Sequence, residues 1–155
     1  MALDPLQFTA RWRVRQYEVD SQGHLNNAVY LNYAEELAAR HAEACGYGRA
    51  WSKARGGRWV IRRHEIDYHL PCLFGDELEL RVQVLLVRGA RGQRRTTVRR
   101  LPEGVLAASI FTEWVWVRAT DGRPAPAPAE LVAQAASATA LTLERRRGRA
   151  RLRGD

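Results

Sequence analysis

The chain has 155 residues and a formal net charge of +8 at pH 7, from 25 Lys plus Arg against 17 Asp plus Glu. That length implies one domain with a real core, and a hydrophobic content of 46% is ordinary for a globular protein. No run approaches the roughly 18 apolar residues needed to span a membrane, and Met1 to Pro5 lacks the basic and apolar stretches of a signal peptide, so neither is expected.

The first element is a period-two ribbon. Phe8, Ala10, Trp12 and Val14 fall on one side and Thr9, Arg11, Arg13 and Arg15 on the other, which predicts a strand. A polar turn follows at Asp20-Ser21-Gln22-Gly23. Then Val29, Tyr33, Leu37, Ala38 and His41 recur at three- and four-residue spacing, which predicts a helix from about Ala28 to Ala44, capped by Asn26 or Asn27 and ended at Gly46. At about 1.5 Å per residue it is about 25 Å long, enough to cross a small sheet. A loop with a short helical turn near Ala50–Lys53 leads to a strand over Arg58–Leu70, whose inward residues Trp59, Ile61, His64, Ile66 and Tyr68 slip phase near Arg62-Arg63, as at a bulge. Glu77–Val87 alternates cleanly, Gly89-Ala90-Arg91-Gly92 closes a hairpin, Gln93–Leu101 returns, and Val105–Ala119 is the last strand. The expected order is strand, long helix, four strands in a meander, and a short helix near Ala129–Ala136. The domain is placed at residues 1–143. Residues 144–155, rich in arginine and poor in apolar residues, are expected to be a disordered basic tail.

The junction before the helix suggests chemistry. A helix N-terminus carries unpaired N–H groups and about half a positive charge, so it can hold a developing oxyanion. Asp20 lies just ahead of it, in a turn that Gly23 lets close tightly. Carboxylate and helix end together suit attack on an acyl carbonyl. The plainer reading is a polar turn with an asparagine cap.

The run from Tyr17 to Glu36 resembles the signature of hotdog-fold acyl-CoA thioesterases of the 4-hydroxybenzoyl-CoA thioesterase-like family. The matching positions are Asp20, Gly23, His24, Asn26, Asn27, Tyr30, Tyr33 and Glu35, and Arg123-Pro124 with Pro128-Ala129-Glu130-Leu131 is similar to the family's ending. The resemblance implies an α+β hotdog fold, a five-stranded antiparallel sheet wrapped around one long central helix. It also implies edge-to-edge dimerisation, with the active site between protomers, as a homodimer or a homotetramer. It implies hydrolysis of an acyl-CoA thioester with Asp20 as nucleophile or general base, the two roles left open. Neither a metal nor a redox cofactor is expected, coenzyme A being part of the substrate.

The other candidates follow from that resemblance. Gly23 keeps backbone close to substrate. His24 orients substrate or water, or only braces the turn. Asn26 and Asn27 are loop and cap residues at the substrate, and Tyr30 lines the acyl pocket or packs on the facing strand. Glu35 reaches the partner's site or binds backbone. Arg91, Arg94 and Arg95, with Arg88, are candidates for the phosphates of coenzyme A, since a guanidinium pairs bidentately with phosphate. An acyl-carrier-protein substrate and a non-catalytic acyl-binding role are the alternatives. A specific nucleic-acid partner is not expected, because no helix-turn-helix or aromatic-basic ribonucleoprotein motif occurs. No H-E-x-x-H or G-x-S-x-G occurs either. Cys45 and Cys72 form no C-x-x-C pair and are expected to stay reduced, in keeping with a cytoplasmic location.

Overall fold

The computed structural model describes residues 3–136; the expected tail at 144–155 lies outside them. Strand β1 (Gln7–Arg13) runs through a 3-10 turn at Gln16–Glu18 and the polar loop into helix α1 (Val29–Ala44). A short helix α2 (Arg49–Ala54) precedes β2 (Gly57–Tyr68), β3 (Glu77–Arg88), β4 (Arg91–Arg100) and β5 (Val105–Arg118). Residues 129–136 are helical, where the proline-led segment predicted it.

The strands form one antiparallel sheet in the order β1-β3-β4-β5-β2. The expected four-strand meander is therefore corrected. β3, β4 and β5 are successive neighbours, but β2 pairs with β5 at the far edge, and β1 takes the place beside β3. Alternation fixes which face each residue takes and says nothing about the partner strand. Residues 69–76 are a crossing connection, not a tight hairpin. Asp76 holds that connection, accepting from the Leu73 N–H at 2.8 Å and pairing with Arg100 at 3.1 Å.

The register lines up the inner face in rows. Phe8, Val82, Thr96, Ile110 and Ile66 form one row, and Ala10, Leu80, Val98, Ala108 and Tyr68 the next. Helix α1 lies over these rows with Tyr30, Tyr33, Ala34, Leu37, Ala38 and His41 buried. That stripe has the predicted spacing, shifted to include Tyr30. Leu37, Leu78, Leu80, Val82, Val98 and Ile110 are fully buried, each contributing about 1.5–3 kcal/mol against exposure. The expected phase slip in β2 is present as a register shift between Ile61 and Arg63, so His64, Ile66 and Tyr68 return to the inner face. The β3–β4 hairpin is tighter than read from sequence: Arg88 pairs with Arg91, so only Gly89-Ala90 turns and Arg91 and Gly92 belong to the strand.

At the C-terminal end of α1, Gly46 takes φ +79 and the Tyr47 N–H bonds the Ala42 carbonyl at 2.8 Å, closing the helix as predicted. Beyond it, Trp51, Trp59 and Trp116 stack edge to face. Buried Gly57 sits against this cluster, and a Cβ there would overlap the Trp116 indole. Gly57→Ala is expected to cost about 1–3 kcal/mol, read as a fall in the urea midpoint; an unchanged midpoint would show that the indole yields freely.

Candidate active site

The loop carrying Asp20 is built almost wholly from its own hydrogen bonds. The Asp20 N–H bonds the His24 carbonyl at 2.8 Å, and the Gly23 N–H bonds the Asp20 carbonyl at 3.0 Å. Gly23 has φ +76, a left-handed conformation that glycine takes without steric penalty. The Asp20 carboxylate accepts the Gln22 N–H at 2.8 Å and the His24 N–H at 3.1 Å, both on Oδ1. Oδ2 takes no hydrogen bond among the described residues. Asp20, Gly23 and His24 are all half-buried.

The loop is then pinned to the rest of the molecule. Val19 bridges Leu25, and His24 bridges Leu73. The Leu25 N–H reaches the Cys72 carbonyl at 2.7 Å. The expected cap at Asn26 or Asn27 is corrected: the N-cap of α1 is Ala28, with no side-chain cap, and Asn26 instead folds a turn ahead of it, its Oδ1 accepting the Ala28 N–H at 2.9 Å. The Asn27 carbonyl accepts the Tyr68 hydroxyl at 2.8 Å. Tyr30 is buried rather than open to a cavity. It meets Tyr68 edge to face at 5.3 Å, and burial raises the pKa of its hydroxyl.

A second anchor was not singled out in the sequence. Glu18 is buried and accepts the Tyr33 hydroxyl at 2.5 Å, the Arg15 N–H at 2.9 Å and the Arg15 guanidinium at 3.2 Å. Burial and then the Glu18 carboxylate push the Tyr33 hydroxyl pKa well above its ordinary value. A glutamate one residue past an exposed Tyr17, facing a helix aromatic, was the available signal.

Glu35 is exposed on α1 and lies near enough to His64 to favour its protonated form, against burial, which acts more strongly and lowers the His64 pKa. His64 Nδ1 is 2.9 Å from Thr112 Oγ1. Among the described residues no group of three or more His, Cys, Asp or Glu is placed to hold a metal.

The arginines do not act together. Arg91 pairs with Val115 and Arg95 with Phe111 on the outer face, both exposed, whereas Arg94 turns inward beneath α1. Adjacent strand residues point to opposite faces, so Arg94 and Arg95 cannot grip one phosphate. Arg94 Nη1 lies 3.4 Å from the Ala38 carbonyl and 3.2 Å from His41 Nδ1.

His41 itself is buried, with Nε2 at 3.3 Å from the Asp4 carbonyl. A guanidinium donating to Nδ1 leaves Nε2 to carry the proton toward Asp4, so the neutral ring fits both partners. Burial, then Arg94, lowers its pKa. Below the unfolded-chain value of about 6.5 the unfolded chain takes up a proton that the folded chain refuses. This contribution is present above that pH and lost as pH falls. The urea midpoint should therefore drop between about pH 7 and pH 5, and drop less in His41→Gln; parallel pH profiles would rule it out.

Asp20 lines neither the concavity under the C-terminal half of α1 nor the smaller one around Tyr33 and Glu36. Beside the Asp20 loop the surface is instead apolar and exposed at Tyr68, Leu70, Leu73 and Phe74. No helix among the described residues is long and apolar enough to cross a membrane.

Residues 14–135 match the thioesterase-like superfamily. The chain belongs to that family. It is a thioester hydrolase by class. It is similar to the long-chain acyl-CoA thioesterase FadM of Escherichia coli, at 28% identity over 105 residues, which is 68% of this chain and 79% of FadM. Among solved structures it is similar to a DHNA-CoA thioesterase from Staphylococcus aureus (TM-score 0.80, 15% identity, 89% of this chain and 94% of that one). It is also similar to the 12:0-ACP thioesterase of Umbellularia californica (TM-score 0.74, 20% identity, 85% of this chain) and spans 50% of that longer chain. At those identities the structures speak for the fold alone, and the fold of this thioesterase-like chain is the hotdog.

Proposed function

We propose that this protein hydrolyses an acyl-CoA thioester, with Asp20 as the reacting carboxylate. The observation that carries the reading is the division of labour on Asp20: Oδ1 holds the loop and Oδ2 is left free, on a half-exposed side chain ahead of α1. A carboxylate oxygen so placed can take a proton from water or attack the carbonyl itself. The N–H groups of Ala28, Val29 and Leu31 are engaged within the turn, so the substrate oxygen is assigned to the amides of Asn27 and Tyr30. His24 orients the attacked group from the same loop. This route asks for no metal or redox cofactor.

A single chain leaves Asp20 without a walled cleft, and we assign the missing wall to a second copy. Strand β2 is an edge of twelve residues with one side unpaired, and an open edge of that length is a template for pairing. Two β2 edges meeting antiparallel would also cover the apolar surface that begins at Tyr68. Exposed Arg91 and Arg95 are the outer-face cations available to coenzyme A phosphates.

The test is a panel of acyl-CoA and acyl-carrier-protein thioesters read with a free-thiol reagent, run at low and high ionic strength. Turnover of acyl-CoA with a KM that rises with salt is expected, since screening shortens from about 10 Å at 0.1 M to about 3 Å at 1 M. Turnover of carrier-protein thioesters only would favour that substrate class. Turnover of neither would leave an acyl-binding protein.

A further inference from the structure

The larger concavity lies under the C-terminal half of α1, about 980 Å³ in volume, walled by α1, α2, the inner sheet face and residues 131–135. It is at the other end of the helix from Asp20: His41 is twelve residues past Val29, about 18 Å along the axis. Its size is at the upper end of the roughly 300–1,000 Å³ typical of small-molecule sites.

Most of its wall is apolar, with Trp59, Trp114, Val84, Leu86 and Val87 contributing from the strands. One charge is enclosed within it. Arg94 sits in the inner row between Val84 and Thr112. Among the described residues its hydrogen-bond partners are the Ala38 carbonyl and His41 Nδ1, both through Nη1. A guanidinium has five N–H donors, and among the described residues no carboxylate lies within 4.0 Å of this one. Enclosure lowers its pKa to about 10, which still leaves it a cation at neutral pH. The Trp114 indole, one row along the sheet, adds apolar ring to the same wall. A charge held against apolar walls without a counter-ion costs stability, and Arg94 is such a charge. Around its rim Arg49, Lys53 and Arg58 outnumber Glu43, whose carboxylate is occupied by the Arg49 N–H at 2.9 Å.

We propose that this cavity is a binding site for a long-chain carboxylate, its carboxyl group on Arg94 and its chain along the apolar strand wall. A phosphate or other compact anion would leave that wall against water. A neutral lipid would leave Arg94 unpaired. The basic rim would draw the anion in. The inference does not depend on which thioester the Asp20 loop cleaves.

Calorimetric titration of the full chain with dodecanoate and with dodecan-1-ol tests it. Dodecanoate should bind at about one per chain, at least about tenfold more tightly than the alcohol, and quench tryptophan fluorescence from Trp59 and Trp114. Arg94→Met should weaken dodecanoate at least about tenfold and leave the alcohol nearly unchanged. Arg94 is half-buried and balances no carboxylate, so its removal leaves no unpaired charge behind and this variant should fold. Val87→Trp keeps Arg94 and fills the cavity from the inner face, where Val87 pairs with Gly92, and should abolish binding of both ligands. Equal affinity for acid and alcohol, or wild-type dodecanoate binding in either variant, would overturn the proposal.

Discussion

Asp20→Asn should lower kcat by about 10²–10⁴, the range for loss of a positioned acid–base group, with almost no loss of stability. The asymmetry comes from the two oxygens. An asparagine keeps an Oδ1 that can accept the Gln22 and His24 N–H groups, so the loop should persist. What it loses is the charge and nucleophilicity of the other oxygen. Asp20→Ala should lose the same activity and, in addition, roughly 1–2 kcal/mol, because two loop amides lose their acceptor. Activity of both variants on a cleaved acyl-CoA, beside their urea midpoints, separates the roles. Near wild-type turnover in Asp20→Asn would remove Asp20 from the chemistry.

The parts of this molecule set by local rules were legible in the sequence. The Phe8–Val14 alternation, the α1 stripe, the Gly46 stop and the β2 bulge depend on periodicity and turn chemistry, and each stands where it was read. Pairing was not legible. β2 and β3 are neighbours in sequence and lie apart in the sheet, because the segment 69–76 carries no signal for how far it travels. Side-chain direction was legible only where strand boundaries were. Placing Arg91 in the turn rather than the strand made Arg91, Arg94 and Arg95 look like one cluster, and the actual hairpin at Gly89-Ala90 splits them between faces. The Asp20 loop was found because its residue types are crowded into a short run. The Arg94 cavity was not, because its residues come from α1, α2, four strands and the C-terminal segment.

Glu18→Ala should cost roughly 2–3 kcal/mol, the second large effect expected. Three donors converge on that carboxylate: the Tyr33 hydroxyl, the Arg15 N–H and the Arg15 guanidinium. The Arg15 side chain is 49% exposed and water can take it over. Tyr33 is buried and cannot be so rescued; its hydroxyl would be left without an acceptor under α1. Glu18→Gln keeps an oxygen toward Tyr33 and should lose about half as much. A Glu18→Ala protein with the urea midpoint of Glu18→Gln would show that the tyrosine finds another partner. The same pair reports on the reaction. The Glu18 carbonyl accepts the Asn26 N–H at 2.9 Å, so residue 18 clasps both ends of the loop, its side chain to the body of α1 and its backbone to Asn26. Loosening one clasp should let the Asp20 carboxylate drift from the helix front. The kcat per folded molecule should therefore fall further in Glu18→Ala than in Glu18→Gln, although neither change touches Asp20 itself.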